Sequence, residues 1–325
     1  MSEGKGENGL PTKIDLKNLD KGLVRFCMEC GKLDPNAAST LPKRDPADYK
    51  WLRMVYDSIE DDAKHMARLL TDIARYIALP DADKGAAAQS ALAATLDELC
   101  ELVENIENAN DLITLGGVPV LLDLLRDCTR PPVCAAACGV VSAVMANNPR
   151  GQDTLLHAGA TAFLVAALTR FQADACDASH TAAEHAALVQ AEARALVCIA
   201  SLVRGEPAAQ KQLVELGGPA LLRTVLDKQQ EPLLRVRAVA VLWRFAASAE
   251  GTAMLVSEGF VATLLGMFVP ASPTEQADVL ERAADVLCHA CAHTAAKQLA
   301  AQHKSELVAA AVRESKRDPA SSLAE

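Results

Sequence analysis

Four glycines in one register constrain this chain more than anything else in it. Gly116, Gly159, Gly217 and Gly259 stand in "LITLGGVPVLLDLL" from Leu112, "LLHAGATAFLVAAL" from Leu155, "LVELGGPALLRTVL" from Leu213 and "LVSEGFVATLLGMF" from Leu255. Each is followed by a leucine-rich stretch with helical spacing, and the glycines are 43, 58 and 42 residues apart. Ahead of each lies another helical stretch: "LDELCELVENIENA", "AAACGVVSAVMANNP", "AEARALVCIASLVRGEP" and "VRAVAVLWRFAASAEG", with "LERAADVLCHACAH" after the last. The order helix, short polar corner, glycine, helix is repeated. No single unit of this kind buries its own apolar face, so the units must stack.

A period near 40 to 47 residues is that of armadillo or HEAT units. The expected fold is therefore all-α: an armadillo-like right-handed superhelical solenoid of about four repeats with capping helices. Aromatics make up only 3% of the chain, and Ala, Leu and Val dominate its apolar content, which suits closely packed helices better than a sheet. The glycine lets two helices fold tightly on each other. Pro132, Pro207 and Pro232 fall at or near helix starts, where a missing amide donor is harmless. The longer middle step places its excess at "FQADACDASHTAAEH", Phe171 to His185, which lacks an amphipathic pattern and is expected as an inserted loop. Before the repeats, two amphipathic helices carry Trp51, Leu52, Met54 and Val55, then Met66, Leu69, Leu70 and Ile73, on apolar faces. The domain reading is a disordered segment at 1–22, capping helices at 23–88, armadillo-like repeats at 89–305 and a tail at 306–325.

A net charge of −10 opposes neutralisation of phosphates and argues against a nucleic-acid partner. No run of about 18 uninterrupted apolar residues predicts a membrane span. The opening residues MSEGKGENGLPTK carry charges and glycines where a secretory signal needs an apolar run, so a cytoplasmic chain is expected. The ten cysteines are scattered through alanine-rich stretches and read as reduced, buried thiols. Two clusters invite a metal: Cys27-Met28-Glu29-Cys30, and Cys288-His289-Ala290-Cys291-Ala292-His293. On a helix, Cys288 and Cys291 share one face while His289 and His293 share its neighbour, so the four do not converge on one tetrahedral site. No metal and no cofactor are expected. An enzyme is not expected either, for the chain has no phosphate-cradling glycine loop, no nucleophile elbow and no His-Glu-x-x-His.

The polar corner in "VENIENANDLITLGGVPVLL" carries a more specific signal. It resembles the signature of the armadillo-type nucleotide exchange factors of the heat-shock protein 70 chaperone, with Glu107 where that family usually has aspartate. "VVSAVMANNPRGQDTLLHAGA", "RALVCIASLVRGEP" and "RVRAVAVLWRF" are similar to its second, third and fourth units, in that order. "LDKGLVRFCMECGKLD" resembles its opening helix, with Phe26 in place of the family's tryptophan. The resemblance covers about residues 19–295 and is strongest from 96 to 160. It implies a non-catalytic monomer whose concave face embraces lobe II of the chaperone's nucleotide-binding domain and promotes ADP release. It also implies a flexible amino-terminal segment that helps clear peptide from the chaperone.

Carried over residue by residue, the chaperone-binding positions are Glu104, Asn105, Asn108, Ala109, Arg204 and Arg237, with Arg194 and Arg235 as weaker candidates. Helix capping at a tight corner is the competing reading for Asn105 and Asn108, capping of the last carbonyls for Arg204, and a solvated helix charge for Arg237. A generic armadillo interaction scaffold or adaptor is the alternative function. Recognition of basic peptides by an importin-type rod would need a ladder of tryptophans, and only Trp51 and Trp243 are present.

Overall fold

Each register glycine closes a turn between two helices that the polar corners had concealed. The computed structural model describes residues 61–127, 130–175, 180–227, 231–268, 277–305, 307–309 and 312. Among them every regular element is helical. The first is α1 (Asp62–Ile77), followed by a short 3-10 turn at Asp81–Asp83 and by α2 (Ala86–Val103). Four units of three helices follow. The first is α3 (Ile106–Thr114), α4 (Gly117–Asp127) and α5 (Pro131–Met145), and the second is α6 (Pro149–His157), α7 (Ala160–Asp174) and α8 (Ala182–Leu202). The third is α9 (Pro207–Glu215), α10 (Gly218–Leu226) and α11 (Pro232–Ala246). The fourth is α12 (Ala249–Ser257), α13 (Phe260–Gly266) and α14 (Ala277–Ala290), and α15 (Thr294–Gln302) comes last.

The opening helix of every unit is nine residues long and ends one residue before a register glycine's neighbour. Gly116, Gly159, Gly217 and Gly259 all take φ between 75° and 82°, a left-handed conformation that a Cβ disfavours. This turns the chain from the first helix of a unit into the second within two residues. Proline opens the third helix at Pro131 and Pro232 and the first helix at Pro149 and Pro207, positions where no intrahelical donor is lost.

The third helices pack on one another in chain order, α2 on α5, α5 on α8, α8 on α11 and α11 on α14. The second helices α4, α7 and α10 stack behind them. One continuous core runs through the units, with Phe171, Phe245 and Phe260 among its largest fully buried side chains. Each such side chain stabilises the fold by about 1.5–3 kcal/mol. α1 covers the front of the stack by packing on α2, α3 and α4, and it buries Met66, Leu69, Leu70 and Ile73 as its periodicity predicts. The expectations for residues 1–22, for Trp51 to Val55 and for Cys27 to Cys30 lie outside the described residues, as does nearly all of the proposed tail.

Two expectations are corrected. The extra length at Phe171–His185 is not one loop: Phe171 to Asp174 complete α7, Phe171 is 2% exposed, and α8 already begins at Ala182. Thr181 and Glu184 form a capping box there, each side chain accepting from the other's backbone N–H, which starts α8 early and lets it run to 21 residues. α8 is long and apolar enough to pass for a membrane span by composition, but it is packed against α5, α7 and α11. The cysteines also divide. Cys134, Cys138 and Cys198 are buried as expected, whereas Cys288 is exposed and Cys291 half-buried.

Candidate interaction surface

The third helices leave one side open, and the residues there are small. Ala135, Ala136, Gly139 and Ser142 of α5, with Val197 and Ser201 of α8, are partly exposed. The Ser142 and Ser201 hydroxyls meet at 3.2 Å. Ala93, Asp97 and Cys100 of α2 and Gln190 and Arg194 of α8 wall a groove of about 270 Å³ floored by α5. Burial first, and then the charge of Glu104, pushes the Cys100 thiol above its ordinary value, so it stays protonated. A low-relief strip of this kind lets another protein's backbone come close.

At the end of this strip the chain turns from each third helix into the next first helix, and the corners are tied to one another. Asn148 Nδ2 donates to Asn110 Oδ1 at 3.3 Å, and Arg204 Nη1 to Asn147 Oδ1 at 3.4 Å. Gln152 Nε2 donates to the carbonyls of Leu202 at 2.7 Å and Arg204 at 2.9 Å, and Gln210 Nε2 to those of Val203 and Arg244 at 3.1 and 3.3 Å. These bonds satisfy the free carbonyls at the ends of α8 and α11 and lock each corner to the next.

The predicted site residues separate within this frame. Glu104 is the exposed C-cap of α2, and Asn105 is the exposed N-cap of α3, its side-chain oxygen accepting from Glu107 N–H at 2.9 Å. The corner therefore shrinks to these two residues, and Ile106 to Asp111 are helical. Asn108 Nδ2 donates both to Asp62 Oδ2 at 2.9 Å and to the Leu102 carbonyl at 3.0 Å, fastening α3 to α1 and α2. Ala109 is corrected outright. It is 1% exposed and belongs to the core, because α3 turns that side toward the stack, so its side chain reaches no partner.

Arg204 is partly exposed on its corner, and Arg237 is exposed on α11. Arg235 is buried, with Nε donating to the Leu226 carbonyl at 2.9 Å, and so holds α10 to α11. Two residues that sequence reasoning passed over stand on α11. Arg244, two turns beyond Arg237 on the same face of α11, stacks over the Trp243 ring at 4.6 Å from its centroid. Trp243 in turn meets the His289 ring of α14 edge-on, with centroids 6.0 Å apart. A register signal was available: Asn147, Arg204 and Arg244 precede Gly159, Gly217 and Gly259 by 12, 13 and 15 residues. Glu104 and Asn105 stand at the far end of the same row of corners and are not brought next to the arginines. The residues around Cys288 form no group able to hold a metal among the described residues; His289 instead bonds the Asp285 carbonyl through Nδ1 at 2.8 Å.

Residues 108–253 match the family model of the SIL1/FES1/HPBP1 C-terminal domain. That segment is the first three units, from within α3 into α12. The chain is similar to nucleotide exchange factor SIL1 of Rattus norvegicus and of Mus musculus, each 30% identical over 150 residues, which is 46% of this chain and 29% of the relative. SIL1 of Xenopus laevis is 23% identical over 43% of this chain. The chain thus spans less than a third of the length of the curated relatives it matches. Among solved structures, a designed armadillo repeat protein superposes with a TM-score of 0.56 at 22% identity, covering 74% of this chain and 90% of its own. A computationally designed armadillo repeat protein for modular peptide recognition gives 0.54 at 21% identity over the same shares. These likenesses establish the armadillo-like solenoid.

The cytoplasmic placement expected from the opening residues is overturned. SIL1 homologues are exchange factors of the endoplasmic reticulum, and the lack of an apolar run in one stretch fixes no compartment. The match of residues 108–253 to the SIL1/FES1/HPBP1 C-terminal domain, together with the SIL1 relatives, supports an armadillo-type exchange-factor family of the heat-shock protein 70 chaperones.

Proposed function

We propose that this chain is a nucleotide exchange factor that binds lobe II of the nucleotide-binding domain of a heat-shock protein 70 chaperone and promotes ADP release. The observation that carries the proposal is the family match over the three units that build the open third-helix face. The chemistry is that of binding alone. A partner that prefers the chaperone conformation with weak ADP affinity shifts the population toward it and lowers ADP affinity by the same coupling energy. No residue of the chain reacts, and no cofactor is required.

The third-helix face suits this role through its small residues and its exposed cations, Arg194 and Arg237. Arg204 and Arg237 are the arginines assigned to the contact. Glu104 and Asn105 reach it from the first corner, and Asn108 shapes that corner, since both hydrogens of its amide are already engaged. The net charge of −10 keeps nucleic acid from being the partner. The chain acts as a monomer and without a membrane.

The test is release of a fluorescent ADP analogue from purified heat-shock protein 70 chaperones, with and without this protein. Acceleration that saturates with protein concentration is expected. No acceleration with any chaperone overturns the proposal and leaves a generic armadillo adaptor.

A further inference from the structure

Two arginines from successive units are brought to one end of the third-helix face, where Gln210 Nε2 bridges the carbonyls of Val203, next to Arg204, and of Arg244. Arg204 follows the C-cap of α8, Val203, and Arg244 lies in the last turn of α11. The Arg244 guanidinium is held below its usual value first by burial and then by the charge of Arg204. No acidic side chain offsets this, and neither arginine makes an ion pair among the described residues. The Arg244 Nε is buried and has no hydrogen-bond partner. On the other side, Trp243, whose ring lies beneath Arg244, is 36% exposed.

Arginines near helix C-termini are common because they complement the macrodipole. That accounts for each arginine alone. It does not account for a second guanidinium beside the first, for a buried donor left unmet, or for a tryptophan held open to solvent. In a chain with ten more acids than bases, leaving two cations unpaired side by side works against stability.

We infer that Arg204, Arg244 and Trp243 form a receptor for an aspartate or glutamate side chain of the chaperone. The carboxylate would lie between the two guanidiniums, and its neighbouring apolar atoms would cover the indole. Paired guanidiniums match the two oxygens of a carboxylate, and arginine with tryptophan is the composition of an interface hot spot. Asn147 holds Arg204 from one side and His289 holds Trp243 from the other, so four successive units position the receptor. The inference rests on the exchange-factor reading and assigns that contact its strongest point.

The experiment measures binding of the full chain to a purified heat-shock protein 70 nucleotide-binding domain at low and high salt, alongside ADP release and thermal melting. The variants are Arg204→Gln, Arg244→Gln and Trp243→Ala, with Arg282→Gln, exposed on α14, as the control. Each of the three is expected to weaken binding roughly 10- to 100-fold and the control to leave it unchanged. Arg204→Gln removes the repulsion, so its melting temperature should hold or rise while binding falls, a divergence that a merely structural arginine cannot give.

Wild-type binding that all three variants share within about twofold overturns the receptor and leaves the exchange-factor reading standing. A parallel loss of melting temperature and binding in Arg204→Gln overturns it too, as does inorganic phosphate binding at the cluster with chaperone binding untouched. Absence of wild-type binding removes both readings.

Discussion

Ala109→Arg separates a core position from a contact position in a single substitution. Ala109 is 1% exposed on a helix enclosed by α1, α2, α4, α5 and α6, and its N–H bonds the Asn105 carbonyl at 2.9 Å. Arginine adds about six heavy atoms to a packed site, and overpacking costs about 1–3 kcal/mol. Its charge has no carboxylate prepared for it, and an uncompensated buried charge costs about 3–5 kcal/mol. Escape of the long side chain toward solvent offsets part of this, leaving a loss of about 3–6 kcal/mol. Against a total stability of about 5–15 kcal/mol, that is a large fraction. The melting temperature followed by circular dichroism should fall by about 10–20 °C. Glu104→Arg, one corner away on the surface, should leave melting unchanged while altering chaperone binding. Full helicity and a melting temperature within about 2 °C of wild type for Ala109→Arg would show that Ala109 faces outward and would refute the burial argument.

Arg237→Ala should slow ADP release by the chaperone with melting unchanged, since Arg237 is exposed; stopped-flow release of a fluorescent ADP analogue at equal protein concentrations reads this directly, and unchanged kinetics would remove Arg237 from the contact. Gly251→Ala should be strongly destabilising, by about 2 kcal/mol or more, because the added Cβ is driven into the carbonyl of Phe245; denaturant unfolding checks it, with Gly151→Ala failing in the same way against the Val144 carbonyl. Thr181→Ala should raise the Glu184 carboxyl pKa, which the Thr181 backbone N–H and then its hydroxyl hold below the usual value. With its folded value depressed, Glu184 favours the fold above the unfolded pKa, and the benefit is lost as pH falls through the folded one. In Thr181→Ala this acid-range dependence should flatten, as seen by side-chain NMR titration and melting between pH 3 and 6 in about half-unit steps.

The parts of the fold that were legible are those whose cause is local. A glycine at φ near 80° is needed wherever one helix folds back on the next within two residues, so the four register glycines announce the repeat whatever surrounds them. The apolar stripe of α1 is likewise complete within its own 16 residues. The first helix of each unit was hidden for the opposite reason. Nine residues give little more than two turns, and each of these helices buries only two or three residues, too few for a period to emerge from segments such as "PRGQDTLLH". At Phe171–His185 the helices extend because Phe171 finds the stack and Thr181 with Glu184 caps α8, and tertiary burial overrides a weak local pattern.

The interaction surface is less legible still, because a solenoid builds its face from residues one repeat apart. Arg204 is marked by the family-like segment it ends, but Arg244 reads as an ordinary arginine near a helix end. Their meaning comes from α8 packing on α11, where Gln210 ties the Val203 carbonyl to that of Arg244 and the Arg244 Nε is left without a partner. Ala109 shows the converse error. The resemblance points to Ala109 as a contact because it lies inside the most family-specific stretch of the chain, yet the nine-residue helix presents Ile106 and Glu107 to solvent and Ala109 to the core. A motif identifies which segment matters, and the helical phase within it decides which side chains a partner can touch. The corner residues that pass that second test are Glu104, Asn105 and Arg204.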